Sequence, residues 1–136
     1  MALLFQPAAR SVVICDFVGF MLPEMIKIRP VVVIAKHKHN EHLVTIVPLS
    51  TTAPRRLEAY HHAFMVNPLP DKSRLPCWAK CDMVATVSLS RLDRYKQPHG
   101  KFIVPQISEA DFEALQMCVA TALNLRHNQT VPARGL

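Results

Sequence analysis

Arg29 is followed by Pro30 and then by Val31-Val32-Val33-Ile34. A permanently charged guanidinium therefore stands one residue ahead of a run that has to be buried. Pro30 fixes its own φ and biases Arg29 toward extended backbone. The β-branched run after it reads as a short strand through a core. Arg29 is thus expected at the mouth of a small β-structure, held stiffly enough to grip an anion; the ordinary alternative is a surface Arg at a strand start. A second stretch is Cys77-Trp78-Ala79-Lys80-Cys81-Asp82. On a strand, Trp78, Lys80 and Asp82 would share one face, with Ala79, Cys81 and Met83 on the other. The first set joins a cation, an anion and an aromatic ring; the second suits a core. An ordinary solvated Lys–Asp pair, worth at most about 1 kcal/mol, would look the same.

Ser50 and Thr51 end the run Val47-Pro48-Leu49. Their hydroxyls could bond a phosphate oxygen or simply cap a turn. His61-His62 opens a further apolar segment. Adjacent strand residues face opposite ways, so at most one of the two can serve a given site as a proton shuttle. Metal chemistry has weak support. Cys77 and Cys81 on one strand face would lie roughly 13 Å apart by strand rise. That is too far for one zinc with bonds of about 2.3 Å, unless a turn intervenes. His37, His39 and His42 have no Cys or carboxylate companions at metal-ligand spacing. The chain has no glycine-rich phosphate loop, no Gly-x-Ser-x-Gly elbow, and no Asp/Glu cluster of the kind a two-metal nuclease requires. No metal and no cofactor is expected.

The elements that must position these groups are short. Strands are expected over 12–17, 31–35, 43–49, 61–67, 78–87 and 101–104. Loops are expected over 19–28, 36–42, 50–56 and 68–76. Turns rest on 11 Pro rather than on the 3 Gly. Ser108 should cap one helix, with Asp111 three residues on, and Phe112, Leu115, Val119 and Ala122 recur at helical spacing. This stripe is read as core packing or a dimer face. Residues 1–10 read as a loose lead-in, 1–125 as a single domain, and 126–136 as a flexible basic tail. The resulting fold class is mainly β with a C-terminal α-helix, a small twisted barrel with a packed helix.

With 136 residues, half of them hydrophobic, the chain is long enough to close a core. Formal net charge is +6 and pI about 9.5. That balance suits a polyanionic partner, either nucleic acid or an acidic protein. The four Cys come without a signal-peptide pattern, and the apolar stretch 12–22 is interrupted by Asp16. A cytoplasmic protein with reduced thiols, away from the membrane, is expected.

In this order the pieces resemble the PemK/MazF family of bacterial type II toxins, over roughly residues 10 to 125. Val13-Ile14-Cys15-Asp16-Phe17 resembles the family's first strand. Pro23-Glu24 falls in the following loop. Arg29-Pro30-Val31-Val32-Val33-Ile34 is similar to its Arg-Pro-hydrophobic run. Val47-Pro48-Leu49-Ser50-Thr51 is similar to its Val-Pro-x-Thr/Ser block. Lys80-Cys81-Asp82 is similar to its Arg/Lys-Cys-Asp segment. Arg91-Leu92, Gly100 and the late helix complete the series. The chain departs from the family at Arg10, where an early glycine is usual, and at Met83, where Gln is common. It also carries Lys27 in a loop that lacks the usual Gly, and its Arg55–Pro76 region differs in length from that of short members.

The resemblance implies an SH3-like barrel of the PemK/MazF/CcdB type, dimeric, that cleaves single-stranded RNA without metal. It implies a partner antitoxin whose acidic tail fills the RNA groove, and contact with operator DNA only through that complex. Such cleavage requires a base for the 2′-OH, donors for the crowded phosphate, and an acid for the leaving 5′ oxygen. Arg29 would stabilise the phosphate, Ser50 would bond it, and Asp82 is the base implied by the family. Lys80 would stabilise charge or donate a proton. His62, which no family motif fixes, is an alternative for proton transfer. Glu24, Lys27, Thr51, Arg55 and Trp78 are expected to contact substrate. Two other functions remain open at this point: a gyrase-poisoning interaction toxin of the same fold, similar to CcdB, and a non-catalytic regulator that binds nucleic acid or antitoxin.

Overall fold

The computed structural model describes residues 2–125; the tail expected over 126–136 lies outside the described residues. Three strands make the centre: β1 (Val12–Cys15), β2 (Arg29–Lys36) and β3 (Leu43–Ser50), antiparallel in the order β1-β2-β3. Val31, Val32 and Val33 are all fully buried, because both faces of this sheet are covered. Strand alternation sorts them. Val12, Val32, Val47 and Leu49 join one core cluster, on which the helix packs; Val13, Val31, Val33 and Ile46 join the other. Each such side chain contributes about 1.5–3 kcal/mol on burial. An extra residue at Ile34 shifts the register between β2 and β3, the signature of a bulge.

The free edge of β3 takes two partners in succession. β6 (Ala85–Ser88) pairs with its first half, and β5 (Trp78–Lys80) with its last two residues. β4 (His61–Ala63) lies outside β5, and β7 (Leu92–Asp93) pairs with β1. The order is β4-β5-β3-β2-β1-β7, with β6 also on β3. β8 (Tyr95–Lys96) and β9 (Phe102–Ile103) form a hairpin past Gly100, whose φ is +98°.

The expected strand 78–87 is therefore two strands. From Leu49↔Ala79 to Ile46↔Ala85, β3 advances three positions and its partner six. The surplus is the 3₁₀ turn Cys81–Met83. Cys81 is fully buried, with its Sγ 3.8 Å from the Leu115 carbonyl of the helix. Turning Cys81 inward throws Asp82 out to solvent, so Asp82 does not share a strand face with Trp78 and Lys80. The expected strand 61–67 also stops early, at Ala63. Phe64 N–H bonds Cys77 O at 2.9 Å, and Asn67 Oδ1 accepts the Leu69 N–H at 2.9 Å ahead of a 3₁₀ turn at Pro70–Lys72.

α1 (Glu109–Ala122) starts as expected: Ser108 Oγ accepts the Asp111 N–H at 3.1 Å. Leu115 is fully buried, and Phe112 and Val119 pack on the same cluster. The lead-in is fixed rather than loose. Gln6 Nε2 reaches the carbonyls of His37, Asn40 and Leu43 at 3.3, 3.2 and 2.9 Å, and Leu3 N–H bonds Leu92 O. Arg10 has φ +78°. That left-handed region is the one glycine enters freely. Here the cost is offset by Arg10 N–H to Val33 O at 2.9 Å and Arg10 Nε to Ile107 O at 2.9 Å.

Candidate active site

A cleft of about 160 Å³ opens where β2 begins and β3 ends. Arg29 and Ser50 come to it because β2 and β3 are antiparallel neighbours. Arg29 is half-buried, and its Nε is fully buried with no hydrogen-bond partner among the described residues. A buried donor left without an acceptor costs about 1–3 kcal/mol, so the guanidinium is held there at some cost in stability. Ser50 is 6% exposed. Its Oγ accepts the Thr52 N–H at 3.1 Å, while its own proton has only a long 3.4 Å contact to Thr52 O. The hydroxyl is thus oriented with its donor largely unspent. Thr51 stands exposed at the rim.

Trp78 lies directly across the ladder from Ser50, on the same side of the sheet. Its Nε1 is a second buried donor without a partner among the described residues. Two further donors complete the cleft, Asn67 and Lys72. Asn67 is 5% exposed. Lys72 ends the 3₁₀ turn, which Tyr95 pins: the Tyr95 hydroxyl donates to Asp71 Oδ2 at 2.8 Å, and Lys72 Nζ lies 5.9 Å from the Tyr95 ring centre. Burial first, and then the Asp71 carboxylate, push the Tyr95 hydroxyl up to about 12, so it remains a donor at neutral pH. The described lining includes two cations and no Asp or Glu. Its field and its spare donors both favour an anion.

Asp82 lines a second hollow of about 220 Å³, together with Glu24, Phe17, Phe20 and Met25. Glu24 Oε1 accepts the Met21 N–H at 2.6 Å, within the loop between β1 and β2. Arg91 anchors the start of that loop: Nη1 donates to Asp16 O at 3.0 Å and Val18 O at 2.6 Å, and the guanidinium lies 4.9 Å from the Phe20 ring centre. So Arg29, Ser50 and Thr51 share one cleft, with Trp78 beside Ser50, while Asp82 and Glu24 share another hollow.

The remaining expected residues are spread around this region. Lys80 is half-buried on β5, on the Trp78 side, opposite His61 of β4. His62 faces the other way. Its Nε2 lies 2.9 Å from Asp111 Oδ1, and its ring packs edge-on against Phe64 at 4.9 Å. Lys27 and Arg55 are exposed and line neither opening. Asn67 and Lys72 were absent from the expectation. The Asn67-Pro68 dipeptide was the available signal, since Asn before Pro marks a side-chain-closed turn. Among the described residues, no group of three or more His, Cys, Asp or Glu is placed to hold a metal ion, and all four Cys are free thiols.

Residues 9–123 match the family described as PemK-like, MazF-like toxin of type II toxin-antitoxin system. The uncharacterized protein YifN of Escherichia coli (strain K12) is 31% identical over 121 residues, covering 74% of this chain and 80% of YifN. An endoribonuclease from a mycobacterial species, solved in complex with its cognate antitoxin, superposes with a TM-score of 0.60 at 22% identity, over 90% of this chain and 99% of that one. MazF from Deinococcus radiodurans superposes with a TM-score of 0.61 at 11% identity, over 88% and 97%. The Mycobacterium tuberculosis toxin MazF-mt6 gives 0.59 at 24%, over 87% and 100%. At these identities the superpositions speak for a shared fold, mostly β-sheet with one C-terminal helix.

Proposed function

The chain belongs to the PemK-like, MazF-like family of type II toxin-antitoxin toxins, and from that premise we propose that it is an endoribonuclease that cuts single-stranded RNA without a metal ion. The observation that carries this reading is the donor-rich cleft that Arg29 and Ser50 line together, with Lys72 and no carboxylate among the described lining. Two superposed proteins of the same fold are themselves named as an endoribonuclease and a MazF toxin.

In this reading the 2′-oxygen attacks the adjacent phosphorus as the bond from phosphorus to the 5′ oxygen breaks. The products are a 2′,3′-cyclic phosphate and a 5′-hydroxyl. Negative charge grows on the non-bridging oxygens in the crowded transition state. The Arg29 fork matches those oxygens, and Ser50 adds a neutral donor to the same group. Both are preorganised, Arg29 by Pro30 and the β1 ladder, Ser50 by its bond to Thr52. Such electrostatic preorganisation is generally the largest contribution to catalysis. Lys72 supplies further positive charge along the strand's path, and Lys80 is the proposed acid that gives the leaving 5′ oxygen its proton. Asp82 is the proposed base for the 2′-OH proton. Because the 2′-OH adjoins the phosphorus it attacks, this role requires the Asp82 carboxylate, which lines the second hollow, to come within hydrogen-bond reach of the phosphate that Arg29 holds. His62 is given a structural role, tying β4 to the helix through Asp111.

We assign the partners on the same basis. The antitoxin is a protein with an acidic segment, matched to a +6 chain whose cleft offers donors and cations. The working unit is a homodimer. Met117, within α1, and Leu123, at its C-terminal cap, are 57% and 51% exposed and provide apolar surface for association. No helix among the described residues is long and apolar enough to cross a membrane.

The test is cleavage of a single-stranded RNA in excess EDTA, with product ends mapped. The wild type is expected to leave 5′-hydroxyl ends, and Arg29→Ala to lower kcat about 100- to 1,000-fold. Cleavage by Arg29→Ala at the wild-type rate would remove Arg29 from the site.

A further inference from the structure

The geometry points to Asn67 as a base-reading residue of the Arg29 cleft, one that selects nucleobases presenting a carbonyl over those presenting an amino group. This rests on the ribonuclease reading above. Asn67 is 5% exposed and yet lines the cleft, so the part of it that a ligand can touch is the part facing the cleft. Its orientation is fixed by chemistry. Leu69 is buried and its N–H needs an acceptor, which it finds in Asn67 Oδ1 at 2.9 Å. Only the carbonyl end of an amide can accept, so the side chain cannot be flipped. The end left over is Nδ2, a pure donor that makes no hydrogen bond within the described residues.

The surroundings of that donor suit a planar ring better than a phosphate. Ile28, Pro30, Leu49, Leu69 and Cys77 give the cleft its apolar walls. The charged fork that phosphate prefers is already supplied by Arg29. A neutral, fixed donor among apolar walls is how a site reads the hydrogen-bonding edge of a flat group. Uracil and guanine carry an exocyclic carbonyl at C4 or C6, which accepts from Nδ2. Cytosine and adenine carry an amino group there. Donor then meets donor, and neither gains a hydrogen bond from the other.

The experiment uses the full chain and a set of RNA oligonucleotides differing only in the base at one position next to the cut, with U, G, C or A at each such position in turn. At one position the wild type is expected to cut U or G with kcat/KM about tenfold or more above C or A. Asn67→Asp keeps an oxygen for the Leu69 N–H and turns the free donor into an acceptor. Its added charge beside Arg29 will slow all substrates, so the readout is the ratio between bases, which should reverse toward C or A. Asn67→Ser can still accept the Leu69 N–H through its hydroxyl but lacks the free donor, and the ratio should collapse to within about threefold. Thermal midpoints of both variants check that the turn survives.

Base ratios unchanged from wild type in either variant would overturn the assignment. If Arg29→Ala abolishes cleavage while Asn67→Asp keeps the wild-type ratios, the ribonuclease reading stands and the base-reading role falls. If the wild type cuts none of the oligonucleotides, both fall.

Discussion

Arg29 holds a charged group half out of water with its Nε buried and unpartnered. Such a group is retained against stability, and the variants should expose the trade. Arg29→Met, of similar length and without the buried donor, is expected to match or exceed the wild type in urea-unfolding midpoint while losing RNA cleavage. A fall of more than about 1 kcal/mol would mean that the guanidinium has partners that offset its burial. Arg29 was legible in the sequence because its position is set locally, by Pro30 and the run that follows. Ser50 was legible for the same reason, as the last residue of an apolar strand. His62 was not. Its partner Asp111 lies 49 residues away on the helix, and no local pattern announces that pairing. Asn67 was missed because a buried, turn-closing amide looks like ordinary turn chemistry until the cleft on its far side is seen.

Helix α1 was the element easiest to read, since Ser108, Asp111 and the apolar stripe are all local signals. Ser108→Ala should cost about 1 kcal/mol in chemical denaturation, with cleavage activity retained in the folded protein. A variant as stable as the wild type would mean that the Asp111 N–H finds another acceptor. The break between β5 and β6 was unreadable for the opposite reason. Cys81-Asp82-Met83 contains neither Gly nor Pro, and all three residues fit the strand pattern. The turn exists because two segments must pair with β3 in different registers while Cys81 packs under Leu115. That is a tertiary demand, and it moves Asp82 from the Trp78 and Lys80 face into the hollow that it shares with Glu24. The loop carrying Glu24 is likewise set from a distance, by Arg91 gripping Asp16 O and Val18 O.

The whole molecule is a mainly β sheet buried on both faces, with a helix over one of them, and that class followed from short β-branched runs ahead of one amphipathic segment. Burial pushes the thiols of Cys15 and Cys77 up to about 12, and that of Cys81 upward as well. All three lie in the two core clusters. A thiol whose folded pKa is raised releases its proton more readily in the unfolded chain. Its stabilisation is therefore intact below the unfolded pKa of 9.0 and lost as pH climbs through the folded value. The melting temperature should fall between about pH 9 and pH 12, and a Cys15→Ala, Cys77→Ala, Cys81→Ala protein should show a shallower fall. Equal slopes would place the alkaline sensitivity elsewhere. At this scale the central claim is that the cleft between the ends of β2 and β3 grips a phosphate for cleavage. The most direct measurement is the rate at which wild type and Arg29→Ala cut one single-stranded RNA in excess EDTA, with the new ends identified. The wild type is expected to cut and to leave 5′-hydroxyl ends, with a loss of about 100-fold or more in the variant. Equal rates, or cutting that stops with EDTA, would contradict it.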